Sequence, residues 1–145
     1  MKATPKIKRI KLKISENPES FLFGIVASEP DYKLSLALNR KLGISLRQIN
    51  PVIIHDEKDS ELTFSRFSAS SSSTDLVYDL ISNRSGKYCL IKKLKKIDYI
   101  FQIHDTEDEA DNNQIITLLR EIECVTAVFK IDPETIKDKN LQYLI

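Results

Sequence analysis

A chain of 145 residues with 41% apolar and 30% charged side chains is long enough to bury one hydrophobic core and too apolar to stay disordered. Its 22 basic and 21 acidic residues leave a formal charge of +1, so no global field steers it toward nucleic acid or anionic lipid. No stretch approaches the roughly 20 apolar residues of a membrane span, and the basic start Met1 to Leu12 lacks the apolar run of an export signal. A soluble, cytoplasmic protein with no membrane partner is therefore expected, as one domain over residues 1–145.

In chain order, Lys6 to Ile14 alternates Ile10, Leu12 and Ile14 against Arg9, Lys11 and Lys13, the period of a half-buried strand. Phe21 to Ala27 is a short apolar run that suits a strand or the lead-in to a helix. Ser28 as cap, Pro30 in the first turn and Asp31 three residues after the cap predict a helix over 29–42. Leu34, Leu38 and Leu42 supply its inward stripe, and Gly43 its left-handed stop.

Ile44 to His55 is β-rich but broken by Asn50 and Pro51, which predicts a short strand or two. Leu62, Phe64 and Phe67 mark the next strand, followed by a serine-rich mobile loop near 68–74. Asp75 to Ser82 and Lys87 to Ile91 read as a β-hairpin turned at Asn83, Arg84, Ser85 and Gly86. After a lysine-rich stretch, Ile97 to Ile103 is a strand with apolar residues at 97, 99, 101 and 103. Thr106 and Glu109 form a second capping box for a helix whose stripe is Ile115, Leu118, Leu119 and Ile122. Cys124 to Ile131 then closes a strand-helix-strand unit from about 97 to 131. Pro133 to Lys137 gives one helical turn before a short C-terminal tail. The sum is an α+β fold, a two-layer sandwich with a largely antiparallel sheet and two main helices on one face, with a partly open barrel as the alternative.

Four segments carry a family resemblance: Gly24 to Leu38, Leu80 to Ser85, Ile91 to Tyr99 and Ile131 to Glu134. In them the chain resembles a family of small Bacteroidetes proteins named for an IPExxxVDY pattern. Ile91, Asp98 and Tyr99 match that string and Ile97 replaces its Val, whereas Lys92 and Lys93 stand where it has Pro and Glu. The resemblance implies no reaction and no cofactor.

Catalytic templates fail one by one. Gly24, Gly43 and Gly86 belong to no phosphate-binding loop. His55 and His104 lack metal-ligand spacing, and Cys89 and Cys124 read as free apolar thiols, so neither a metal nor a disulfide is expected. The serines of 70–73 have no accompanying base. Asp98 and Tyr99 point to opposite faces of a strand and cannot act as one acid-base pair.

What remains is surface chemistry. Ser28, Asp31, Tyr32, Asn83 and Arg84 bring a helix N-terminus, a phenol, an amide and a guanidinium into the segments that carry the resemblance, and together form the candidate binding surface. Lysine clusters at 2–13 and 87–96, including Lys8, Arg9, Lys11, Lys92, Lys93, Lys95 and Lys96, form a candidate basic patch. The leading expectation is a non-enzymatic interaction or accessory protein that binds an unknown protein partner or itself. One alternative is an RNA-binding module using the lysines, with Tyr88 or Phe64 as stacking surfaces. Another is an enzyme whose site is assembled from distant residues such as Asp31, Tyr32 and Arg84.

Overall fold

The computed structural model describes residues 19–70, 76–105 and 112–144. Among them the apolar run expected near 21–27 is a strand, β1 (Glu19–Ala27). It is followed by α1 (Asp31–Leu42), β2 (Arg47–His55), β3 (Glu61–Ser70), β4 (Val77–Ser82), the short pair β5 (Arg84–Ser85) and β6 (Tyr88–Cys89), β7 (Tyr99–Asp105), α2 (Asn112–Arg120) and β8 (Val125–Ile131). Six strands make one sheet in the order β2-β3-β4-β7-β1-β8, and each of its pairings is antiparallel. The α+β class and the antiparallel sheet follow the sequence reading.

Both faces of this sheet are covered. On the front, Leu34 and Leu38 of α1 and Leu119 of α2, with Ile122 just beyond it, pack on Phe23, Ile25, Leu80, Phe101 and Ile103. On the back, Leu22, Phe64, Ile81 and Ile100 are buried under Leu90, Ile91, Ile97, Ile136 and Leu144, which belong to irregular chain and not to helices. Two-sided burial explains why β1 reads as a near-continuous apolar run. It also shows that Ile97, which precedes β7, packs on the back while Tyr99, Phe101 and Ile103 face the front.

Several boundaries move for identifiable reasons. α1 starts at Asp31 with Pro30 as its N-cap, whose φ of −68° and ψ of 167° keep the chain extended until the helix begins. Ser28 therefore lies too far back to cap; its amide instead donates to the Cys124 carbonyl at 3.1 Å. Gly43, at φ 66°, ends the helix as expected. Asn50 and Pro51 do not divide β2; they form a register shift between Ile49 and Val52 inside one strand. Ser68, Ala69 and Ser70, assigned above to a loop, are ladder residues of β3 paired with β4.

The expected hairpin is displaced. β4 pairs with β3 and β7, and the tight turn comes later, at Gly86 with φ 61°, between β5 and β6. Likewise β7-α2-β8 keeps its sequence order, but β1 is inserted between its two strands. The presumed tail is part of the back cover: it turns through 3-10 helices at Pro133–Thr135 and Lys139–Tyr143 and buries Ile136, Asn140 and Leu144. The strand expected at 6–14, the capping box at Thr106 and Glu109, and most of the serine-rich segment lie outside the described residues.

Candidate functional site

The five residues of the sequence-proposed surface part company. Asn83 is fully buried: its Nδ2 donates to the carbonyls of Leu94 (2.8 Å) and Ile97 (3.0 Å), and its Oδ1 accepts from the Ile91 amide (2.9 Å). It fastens the 90–97 segment to the back of the sheet and presents nothing to a partner, which corrects its assignment as a surface amide. Arg84 is half committed, with Nε on Asp98 Oδ1 and Nη2 on the Lys95 carbonyl, both at 2.6 Å.

Asp98 passes the connection on, because its second oxygen accepts from the Ala27 amide at 3.0 Å. The next residue, Tyr99, donates its hydroxyl to the Glu29 carbonyl at 2.8 Å. Asp98, just before β7, and Tyr99, its first residue, thus both hold the link between β1 and α1, a structural use of both. Burial, reinforced by the charges of Asp31 and Asp98, pushes the Tyr99 phenol up to about 12, so it stays a donor. Ser28 and Asp31 lie on that same link, with Asp31 Oδ1 accepting from the Tyr32 amide at 2.7 Å.

Tyr32 is free of this framework. It is 55% exposed, and with Leu36, 51% exposed, it lines an open groove of about 640 Å³ between α1 and the turn that joins α2 to β8. Ile122 and Cys124 line it from the turn side. Its charges are partly paired: Lys33 meets Glu29 at 3.6 Å and Lys41 meets Glu121 at 2.9 Å, which leaves Glu123 beside Cys124 and Arg40 near the end of α1 without an ion pair among the described residues. Burial, with the nearby carboxylates adding to it, pushes the Cys124 thiol up, so it is an apolar lining group rather than a nucleophile.

Of the basic patch, Lys92, Lys93, Lys95 and Lys96 are exposed on the loop over the back face, whereas Lys8, Arg9 and Lys11 lie outside the described residues. A cavity of about 290 Å³ sets Tyr88 near Lys58, Lys92 and Lys139. Phe64 is fully buried and offers no stacking surface.

A further cluster has no counterpart in the sequence reading. Ser20 Oγ lies 3.1 Å from His104 Nδ1, and His104 Nε2 lies 3.0 Å from Asp79 Oδ2. Arg66 Nη2 stands 3.5 Å from the same carboxylate oxygen. Burial would raise the Asp79 carboxyl, but hydrogen bonds from His104 and Ser68 and the Arg66 charge outweigh it and hold the group below its ordinary value. Gln102, paired in register with Asp79 and fully buried, has neither amide atom partnered among the described residues. The signal that could have found this cluster is the presence of Asp79 and Gln102 inside otherwise apolar strands. His104 is the link between Asp79 and Ser20.

No family model matches the chain, and the search of curated proteins returns no match. The resemblance to the IPExxxVDY family accordingly rests on the four segments quoted above.

Proposed function

We propose that this chain is an interaction or accessory protein that docks a partner protein in the groove beside α1. The single observation that carries this reading is the pair Tyr32 and Leu36, two large side chains left more than half exposed side by side on a helix whose other face is buried. Neither is needed by the core, and aromatic groups of this kind are the usual anchors of docking sites. The two unpaired charges suggest the partner's chemistry: a short amphipathic segment with an apolar anchor, a basic group for Glu123 and an acidic group for Arg40. Folding chemistry accounts for Asn83 and Arg84, so of the original surface Tyr32 is the residue this reading retains.

A photo-cross-linking residue at position 36, introduced in the native cells, should yield one dominant adduct whose mapped peptide has that charge order. Arg40→Glu should weaken its capture at least about tenfold, and Tyr32→Ala should do the same while changing stability by no more than about 0.5 kcal/mol. Adduct yield no higher than from position 93 on the lysine loop would sink the proposal, and an adduct between two copies would replace the partner with self-association.

The basic alternative has one observation in its favour, the approach of Lys58, Lys92 and Lys139 to exposed Tyr88. A gel shift with single-stranded RNA, lost on Tyr88→Ala and on raising salt, would favour it; recovery of the partner after nuclease treatment favours docking.

A further inference from the structure

The docking groove leaves the Ser20, His104 and Asp79 cluster unexplained, and its geometry orients the imidazole. Asp79 is held in its ionised form and can only accept, so His104 Nε2 carries the hydrogen between them. In the neutral imidazole Nδ1 then keeps its lone pair, and at 3.1 Å it accepts from the Ser20 hydroxyl. Hydroxyl, base and orienting carboxylate stand in line, the arrangement that makes a serine oxygen nucleophilic.

The hydroxyl also has somewhere to act. Ser20 lines a cavity of about 380 Å³ with Phe21, Leu22, Ile131 and Pro133 as apolar wall and Lys130 and Asp132 as its charged residues. The buried amide of Gln102 beside Asp79, unpartnered among the described residues, is a second sign that this end of the sheet is not arranged for stability alone, because orphaned buried polar atoms cost about 1–3 kcal/mol.

We propose that Ser20 is an activated nucleophile with His104 as its base and Asp79 as a positioning residue, and that the cavity beside it takes small carboxylic esters with a short apolar acyl group. Ser20 Oγ attacks the carbonyl carbon as its proton passes to His104 Nδ1, and the carbonyl electron pair moves onto oxygen. Return of that pair expels the alkoxide, which takes the proton from His104 and leaves Ser20 acylated. Water then gives a proton to His104 while its oxygen attacks the acyl carbon. Collapse frees the carboxylic acid, and the proton returns to Ser20, so ester and water become acid and alcohol.

The test uses the full chain with p-nitrophenyl acetate and with a p-nitrophenyl alkylphosphonate, read by phenolate release, intact mass and peptide mapping. One phosphonyl adduct at Ser20 is expected, absent in Ser20→Ala. His104→Gln should slow labelling at Ser20 by about 100-fold, the ordinary worth of a general base. Asp79→Asn should slow it while Asp79→Glu restores part of the rate, each compared only where circular dichroism shows the variant folded. A purely structural cluster predicts that wild type labels Ser20 no faster than the exposed Ser28, and that result overturns the proposal. Tyr32→Ala should label normally, so failure here is separable from failure of the docking reading.

Discussion

On the front of the sheet, α1 and α2 satisfy their own backbone groups and need only set Leu34, Leu38 and Leu119 on Phe23, Phe101 and Ile103. On the back, the 90–98 and 136–144 segments have no such ladder, and buried polar side chains stand in for it. Asn83 serves three backbone groups, Asn140 Nδ2 donates to the Leu90 carbonyl at 2.7 Å, and Asp138 accepts from the amides of Lys92 and Asn140. The contrast teaches that a sheet face can be closed by hydrocarbon alone only when the cover is regular; irregular cover requires amides and carboxylates placed one by one.

The sharpest break of that contrast is Asn83→Ala. It orphans the Ile97 carbonyl and the Ile91 amide and leaves the Leu94 carbonyl only its bond from the Ile97 amide, and at about 1–3 kcal/mol for each of the two orphaned groups the expected loss is roughly 2–6 kcal/mol by urea denaturation. A loss below about 1 kcal/mol would mean that the back cover is held by its apolar contacts and the contrast is false. On the front, Leu38→Ala should cost about 2–5 kcal/mol through lost burial and the cavity left behind. A variant that melts with the parent would put Leu38 on the wrong face of α1.

The smallest effect concerns pH. Asp79's folded pKa lies below the ordinary 3.8, so its contribution is present above that value and disappears as pH falls through the lower, folded one. Asp79→Asn should therefore flatten the acid limb of the stability curve in that window, measured by denaturant midpoints over a pH series. An unchanged acid slope would show that Asp79 is not held in its ionised form.

Where patterning alone decides burial, the sequence was legible. The four-residue spacing of Leu34, Leu38 and Leu42 with Gly43 behind it placed α1, and alternating or continuous apolar runs located β3, β4, β7 and β8, while the run at 21–27 left strand and helix lead-in both open. What patterning cannot record is the identity of a partner. Asn83 looks like a turn residue because amide side chains suit turns; that it closes three backbone hydrogen bonds from 90–97 depends on a loop that no periodicity describes. The candidate surface loses Asn83 for the same reason, while Tyr32 is exposed on the face of α1 opposite its leucine stripe. Ser20, His104 and Asp79 come from β1, β7 and β4, and only the strand order brings them together.

That strand order has a consequence during synthesis. β2, β3 and β4 pair with their neighbours in sequence and can close as they leave the ribosome. β1 emerges first but finds its partners last: Ser20 meets His104 across 84 positions, an interval of roughly 4–17 s at about 5–20 residues per second. Throughout it the apolar run Phe21 to Ala27 has neither neighbouring strand, which makes that segment the part of the nascent chain a holding chaperone would seize.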